Sequence, residues 1–275
     1  METKYFSVVI PTYNSSKYLR ELLQSLKNLK FLNDVVITDD CSHSDEYKNL
    51  IEIIKEVEFK DLNISLSRNE YNIGGFKNKY KGIELAKNKI VYQVDSDNVI
   101  TKRTKNFLND QYNLNLINKG DLFLPSKISL FKKYKIIENI LFFRNNDVLF
   151  TKRNKELDIN EVKDELKKEE INKKDSSFKD RTLKSILNIG NPVFRREDYL
   201  NFCKEGFDLK IDISAGDAIA LSYFYLKNKG KIIFNRNIGH FHRMRDDSYW
   251  HEGGEKSKSA DLYFLEKIQN FQKSK

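Results

Sequence analysis

Along the first hundred residues the apolar positions switch between two periods. Phe6 to Ile10 is a continuous apolar run of strand length, and Lys17 to Leu29 then places Leu19, Leu22, Leu23, Leu26 and Leu29 at helical spacing. Asp34 to Thr38 predicts a second strand, closed by the turn-rich DDCSHSD, and Tyr47 to Val57 predicts a helix with Leu50, Ile53, Ile54 and Val57 on one face. Ile64 to Ser67 predicts a third strand. Gly74 and Gly75 interrupt the chain before a helix from about Lys77 to Lys87, and IVYQVDSDNVI, Ile90 to Ile100, opens as a fourth, buried strand. This β-α-β-α-β-α-β order predicts an α/β fold with a mostly parallel sheet flanked by helices. In such sheets a ligand sits beyond the carboxyl ends of the strands, where Thr12, Asp39 and Asp95 fall.

Past residue 110 the pattern loosens. Asp121 to Pro125 and Leu141 to Phe143 predict strands, Ala218 to Lys227 a helix and Lys231 to Phe234 a strand. Lys152 to Lys174 predicts an exposed, charge-dense helix whose main apolar pair, Val162 and Leu166, gives it a narrow buried stripe. It reads as a solvated face or an interaction arm. Leu262, Leu265, Ile268 and Phe271 predict an amphipathic C-terminal helix that packs on its own domain. There is no internal repeat and no low-complexity linker.

Length allows one large domain or two modest ones, since 275 residues bury an ample core. The charged fraction of 32% against 39% hydrophobic excludes a fibrous or disordered chain. Lys and Arg exceed Asp and Glu by 49 to 40, a net charge of +9 that favours a polyanionic partner or simply a soluble surface. Basic residues are interspersed with acids and no helix-turn-helix, RNP or zinc-finger pattern occurs, which argues against nucleic acid. Contact with an anionic membrane remains open. Cys41 and Cys203 cannot form a disulfide scaffold and suit a reducing compartment. The start METKYFSVVIPTYN has neither signal-peptide nor anchor character, and no apolar run spans a bilayer, so the expected place is the cytoplasm, with peripheral attachment to the inner membrane face allowed.

Candidate chemistry centres on Asp95 and Asp97. Two carboxylates two residues apart in an extended segment point the same way, and like charges repel unless a cation or proton separates them. Hard oxygen ligands at a strand end suit Mg²⁺ or Mn²⁺, which take one or two protein carboxylates and complete their shell with substrate phosphate oxygens. A turn with Asx capping is the bland alternative. DSDNV also satisfies the short pattern of haloacid-dehalogenase-type phosphatases, with Asp95 as nucleophile. That pattern belongs on the first strand of a domain, whereas here it follows the fourth.

SVVIPTYNSSKYLRELLQSL, VVITDDCSHSD and NEYNIGGFKNKYKGIELAKNKIVYQVDSDN resemble the family 2 glycosyltransferases of GT-A fold in order, spacing and residue type. Cys41 stands where that family usually has Gly, and Lys79 and Tyr80 replace a usual Arg-Asn pair. The resemblance implies a GT-A (Rossmann-like) sheet, with residues 1–110 as the nucleotide-sugar-binding half. Residues 111–254 would form a less regular acceptor-binding half with a charged helical insertion near 152–185, and residues 255–275 a C-terminal helix.

It further implies a nucleotide site, most often for uridine diphosphate, at Pro11, Thr12, Tyr13, Asn14, Asp39, Asp40, Asn72, Lys79, Asp95 and Ser96. Asp97 would be the direct ligand of Mn²⁺ or Mg²⁺, with Asp95 acting through water or the ribose. In GHFHRMRDDSYW, His242 is either a further metal ligand or structural, and Arg243 and Arg245 would close over the diphosphate. Inverting transfer needs a carboxylate base. Asp217 matches the family's acidic position before a helix, whose N-terminus favours the ionised form, with a plain N-cap as the alternative. Asp212 is the reserve. Tyr249 and Trp250 stack on a sugar or simply pack, and Arg195 and Arg196 receive no role. The implied partners are a nucleotide-sugar donor and a glycan or lipid-linked acceptor, with an oligomer allowed.

Overall fold

The computed structural model describes residues 3–57, 62–131, 146–149, 154–171, 187, 190–211, 213, 216–243 and 254–271. Strand β1 (Phe6–Thr12) is buried along its whole length. Its alternate side chains enter two different cores, Val9 on one face and Phe6, Val8 and Ile10 on the other, so helices must cover both sides of the sheet. Strand β2 (Leu32–Asp39) and strand β4 (Ile90–Gln93) flank β1 in parallel, and β3 (Asn63–Arg68) lies parallel outside β2. Each is reached by a crossover helix: α1 (Ser16–Leu26), α2 (Ser44–Glu56) and α3 (Gly75–Leu85).

Helix α1 buries Leu19, Leu22, Leu23 and Leu26 on the Phe6 side. At about 1.5–3 kcal/mol per buried leucine, that stripe outweighs the side-chain cap its N-terminus lacks. Instead Glu46 of α2 accepts the Ser16 N–H at 2.9 Å. Helix α3 covers the Val9 face. Gly82 lets it lie close, because a Cβ there would stand 2.6 Å from Val9 Cγ1 and 3.1 Å from Thr38 Oγ1.

The same sheet continues through the second half. Strands β5 (Val99–Ile100), β6 (Asp121–Phe131), β7 (Asn146–Leu149), β8 (Lys155–Leu157), β9 (Val193–Arg195) and β10 (Lys231–Arg243) complete the order β3-β2-β1-β4-β9-β6-β10-β5, with β7 beside β6 and β8 beside β10. Three-residue β9 runs antiparallel between β4 and β6, too short to leave a sequence period. Helices α4 (Lys102–Leu108) and α5 (Gln111–Asn115) add Phe107, Leu108 and Leu114 to the Phe6-side core.

Strand β10 is far longer than the predicted Lys231 to Phe234. Its register on β6 shifts between Asn235 and Gly239, after which His240 and Phe241 pair with Ile100 and Val99 of β5. Since β5 directly follows the DSDN turn, this pairing returns His240, His242 and Arg243 to Asp95 and Asp97.

The charge-dense segment forms β8 and then α6 (Ile159–Ile171). Val162 and Leu166 are buried in the larger core, so α6 is a wall of the domain rather than a free arm. The helix Gly254–Gln269 packs Phe264 between Tyr223 and Phe224 of the helix Asp217–Lys227, at ring distances of 5.5 and 5.8 Å. No helix among the described residues is long and apolar enough to cross a membrane. The expected strand Leu141 to Phe143 lies outside the described residues.

Candidate active site

The carboxyl ends of β1, β2 and β4 converge on one edge of the sheet. Thr12 Oγ1, Ser15 Oγ and Ser96 Oγ form a buried chain of hydrogen bonds at 2.9 and 2.8 Å, which ties the end of β1 to the Asp95–Asn98 turn. Pro11 pairs with Thr38 on the β2 side only, since β4 has already ended at Gln93 opposite Val9. Proline's missing N–H therefore costs no ladder bond there. Tyr13 is exposed, a free aromatic face beside this edge. Asn14, with φ of 46°, donates its N–H to Ser42 Oγ at 2.8 Å and accepts from the His43 N–H at 2.9 Å.

The two neighbouring aspartates at the end of β2 do different work. Asp40 accepts from Asn69 Nδ2 at 2.8 Å and from the backbone N–H groups of Ile73 and Gly74 at 2.9 Å each, so it pins the loop that leads into α3. Asp39 is fully buried. Its carboxylate takes the Ser42 hydroxyl and N–H, with Arg68 Nε at 3.4 Å. Burial pushes the Asp39 carboxyl above its ordinary range, against the opposing pull of Ser42 and Arg68. Arg68 also stacks over Tyr47 at 4.2 Å, and sequence reading missed it because an arginine at a strand end reads as surface charge. Cys41 adopts φ of 62°, the left-handed conformation that suits glycine.

Asp95 is the most heavily supported side chain of the site. Its backbone N–H donates to Asn191 Oδ1 at 2.9 Å, Gln93 Nε2 donates to its Oδ1 at 3.0 Å, and Lys79 Nζ stands 3.2 Å from the same oxygen. A Cβ on Gly190 would lie 3.0 Å from Asp95 Oδ2, so the missing side chain leaves room for the carboxylate. Gly190 and Asn191, in the segment before β9, escaped sequence reading because only the tertiary fold lays them beside β4.

Lys79 also reaches Asp217, 2.7 Å from Oδ2, at the first turn of the helix Asp217–Lys227. One ammonium thus joins the first aspartate of the DSD turn to the residue expected to be the base. Burial alone would lower the Lys79 pKa, but Asp217 and Asp95 more than offset it and hold it above its ordinary value. For Asp95 burial raises the pKa, and Lys79, with smaller help from His240 and His242, brings the net below the usual carboxylate range. Asp217 goes the other way. Burial raises it, Lys79 only partly opposes that, and Asp95 adds to the rise. A carboxylate whose proton affinity is raised suits a base better than an ordinary aspartate.

Arg243 is buried. It donates from Nε to the Asp97 carbonyl at 3.1 Å, from its backbone N–H to Asn98 Oδ1 at 3.3 Å, pairs with Glu21 of α1, and stacks over Tyr18 at 4.6 Å. In this arrangement it braces the Asp95–Asn98 turn from behind. His240 and His242 rings lie 5.7 Å apart. Burial, with His242 adding to it, drops the His240 pKa to about 3, although Asp95 works in the opposite sense. Asn72 sits apart from Lys79, in a groove of about 490 Å³ along the outer side of α3, lined also by Tyr71, Lys77, Tyr80 and Phe207. Asp212, Arg245, Tyr249 and Trp250 lie outside the described residues. Arg196, given no role from sequence, donates to the Ile83 and Glu84 carbonyls and so caps the end of α3.

The fit of a divalent ion is testable on these atoms. No three His, Cys, Asp or Glu side chains among the described residues converge as a metal cage. An ion held by one or two carboxylates and completed by substrate phosphates needs none. Around Asp95, buried Asn191 Nδ2 and His240 Nδ1 have no hydrogen-bond partner among the described residues, as expected where a polar ligand completes the set. The donor set fits Mn²⁺ or Mg²⁺ arriving with a diphosphate.

Residues 7–112 match the family model described as Glycosyl transferase family 2. This stretch is a family 2 glycosyltransferase domain. The chain is 40% identical over 103 residues to the poly(ribitol-phosphate) beta-N-acetylglucosaminyltransferase TarS of Staphylococcus aureus, a match covering 36% of this chain and 17% of that relative. It is 29% identical over 140 residues to the amylovoran biosynthesis glycosyltransferase AmsB of Erwinia amylovora, covering 50% of this chain and 44% of AmsB. The matches thus span less than half the length of these curated relatives.

The whole chain shares the GT-A fold of solved glycosyltransferases. S. aureus TarS 1-349 in complex with UDP-GlcNAc superposes at a TM-score of 0.57 and 20% identity, over 98% of this chain and 68% of that one. A mannosyltransferase from Pyrobaculum calidifontis in complex with GDP-Man and Mn²⁺ superposes at 0.60 and 12%, over 100% and 67%. With the family 2 segment beginning at β1 and the Asp pair in the turn after the fourth strand, the dehalogenase-type reading falls away.

Proposed function

We propose that this chain is a metal-dependent, inverting glycosyltransferase. It moves a sugar from a nucleoside diphosphate donor, uridine diphosphate by preference, to a hydroxyl of a glycan or lipid-linked acceptor in surface polysaccharide or glycoconjugate synthesis. The observation that carries this reading is the convergence of Asp95 and Asp217 on Lys79 at the carboxyl edge of a GT-A sheet. It is supported by the family 2 match and by the UDP-GlcNAc complex of a TarS structure with the same fold.

In this reading Tyr13 offers its exposed ring to the base, while the Asp39 and Asp40 edge lies toward base and ribose. Asp97 and Asp95 hold a divalent ion, whose chemistry when bound is Lewis-acid stabilisation of charge on the departing diphosphate. Asp217 takes the proton of the acceptor hydroxyl as that oxygen bonds to the anomeric carbon and the bond to the diphosphate oxygen breaks on the opposite face. Arg243 holds the Asp97 backbone in place for this.

Calorimetric titration with uridine diphosphate, with and without Mn²⁺, tests the reading on the wild type, Asp97→Ala and Asp217→Asn. Metal-dependent binding lost in Asp97→Ala and kept within a few-fold in Asp217→Asn is expected. Wild-type protein that binds no nucleoside diphosphate with Mn²⁺ present would remove the proposal.

A further inference from the structure

The cation that joins the two halves of the site has a role that neither its sequence position nor the transferase reading assigns, and the inference rests on that reading. Lys79 Nζ lies 2.7 Å from Asp217 and 3.2 Å from Asp95, and its side chain is 16% exposed. The resemblance makes it a nucleotide contact, yet Lys79 is not among the residues that line the groove holding Asn72 outside α3.

We propose that Lys79 is a placeholder cation coupling the donor site to the base: it neutralises Asp95 until a divalent ion with its diphosphate takes that carboxylate, and is then left to Asp217 alone. The Asp95 side chain is 31% exposed, and its Oδ1 is shared by Gln93 Nε2 at 3.0 Å and Lys79 Nζ at 3.2 Å. A divalent ion that binds this oxygen therefore competes with both. Gln93 belongs to β4, whereas the ammonium ends a flexible four-carbon stem. A divalent ion and an ammonium on one carboxylate repel each other strongly in a partly buried site. The shorter contact to Asp217 gives the displaced ammonium a partner already in place. Donor arrival thereby changes the surroundings of the base through one side chain.

Mn²⁺ binding followed by electron paramagnetic resonance, without nucleotide, tests this on the folded full chain. Lys79→Gln removes the competing charge and is expected to bind Mn²⁺ about tenfold more tightly than wild type. Lys79→Arg, which keeps the charge, should stay within a few-fold of it. Asp217→Asn frees the ammonium for Asp95 alone and should weaken Mn²⁺ binding roughly threefold. In the Lys79→Gln, Asp217→Asn double variant that loss should vanish, because its only route is Lys79. Unchanged or weaker Mn²⁺ binding in Lys79→Gln, or an Asp217→Asn effect that survives without Lys79, overturns the proposal. A wild type that binds Mn²⁺ by this pattern but no uridine diphosphate would instead remove the transferase reading and leave the placeholder standing.

Discussion

Gly82→Ala is a sharp test of how the site is positioned, because two known effects oppose each other there and the structure decides between them. Gly82 is inside α3, where alanine is favoured over glycine by about 1 kcal/mol from helix propensity alone. Its φ is not in the left-handed region, so no backbone strain enters. Against that gain, the new Cβ would stand 2.6 Å from Val9 Cγ1 and 3.1 Å from Thr38 Oγ1. Both belong to interior strands of the sheet, and Val9, β-branched and fully buried, is restricted in the rotamers it could retreat into. Overpacking of this kind costs about 1–3 kcal/mol, or more where the backbone cannot give.

The clash wins, so a net loss of about 1–2 kcal/mol is expected, lowering Tm by roughly 2–4 °C for a chain of this size. Urea and thermal unfolding measure it. Lifting α3 also carries Lys79, one turn earlier, away from Asp95, so uridine diphosphate and Mn²⁺ affinity should shift as well. Val9→Ala opens the space, and the double variant should recover about 1 kcal/mol relative to additivity. A Gly82→Ala protein more stable than wild type, or strict additivity with Val9→Ala, would refute the reasoning.

His240 should make the fold acid-sensitive. Its pKa falls to about 3 in the folded chain against 6.5 when unfolded, so the unfolded state binds the extra proton between those values and stability drops as pH falls below 6.5, by about 2 kcal/mol between pH 7 and 5. Chemical unfolding at the two pH values should show that slope, and His240→Gln should flatten it. Arg243→Ala loses the bond to the Asp97 carbonyl and leaves Glu21 without its cation. Glu21 is 34% exposed, so after allowance for solvent screening the expected loss is about 1–2 kcal/mol, with weaker Mn²⁺-dependent nucleotide binding. An unchanged urea midpoint would rule out the brace. Cys41→Gly should raise Tm, since φ of 62° costs a side-chain-bearing residue about 1 kcal/mol that glycine avoids; a fall in Tm would mean the thiol's contact with the Glu70 carbonyl matters more.

The alternating periods of the first hundred residues determine β1 to β4 and their crossover helices, because β1, β2, β4 and α1 each bury an aliphatic stripe of their own. Hence the parallel sheet, the edge where Thr12, Asp39 and Asp95 gather, and the kind of chemistry the Asp pair suits were legible in the residues and in what they resemble. Elements whose form depends on a distant neighbour were not. Strand β9 is three residues paired between two others, and the second half of β10 is polar by sequence and becomes strand only by pairing with β5. Most of the site's electrostatics belongs to this second kind: resemblance offers Lys79 only as a nucleotide contact, and its pairing with Asp95 and Asp217, brought together from 122 residues apart along the sequence, comes from the tertiary fold. Local composition sets which side chains a segment offers, and burial between segments decides which charges must meet.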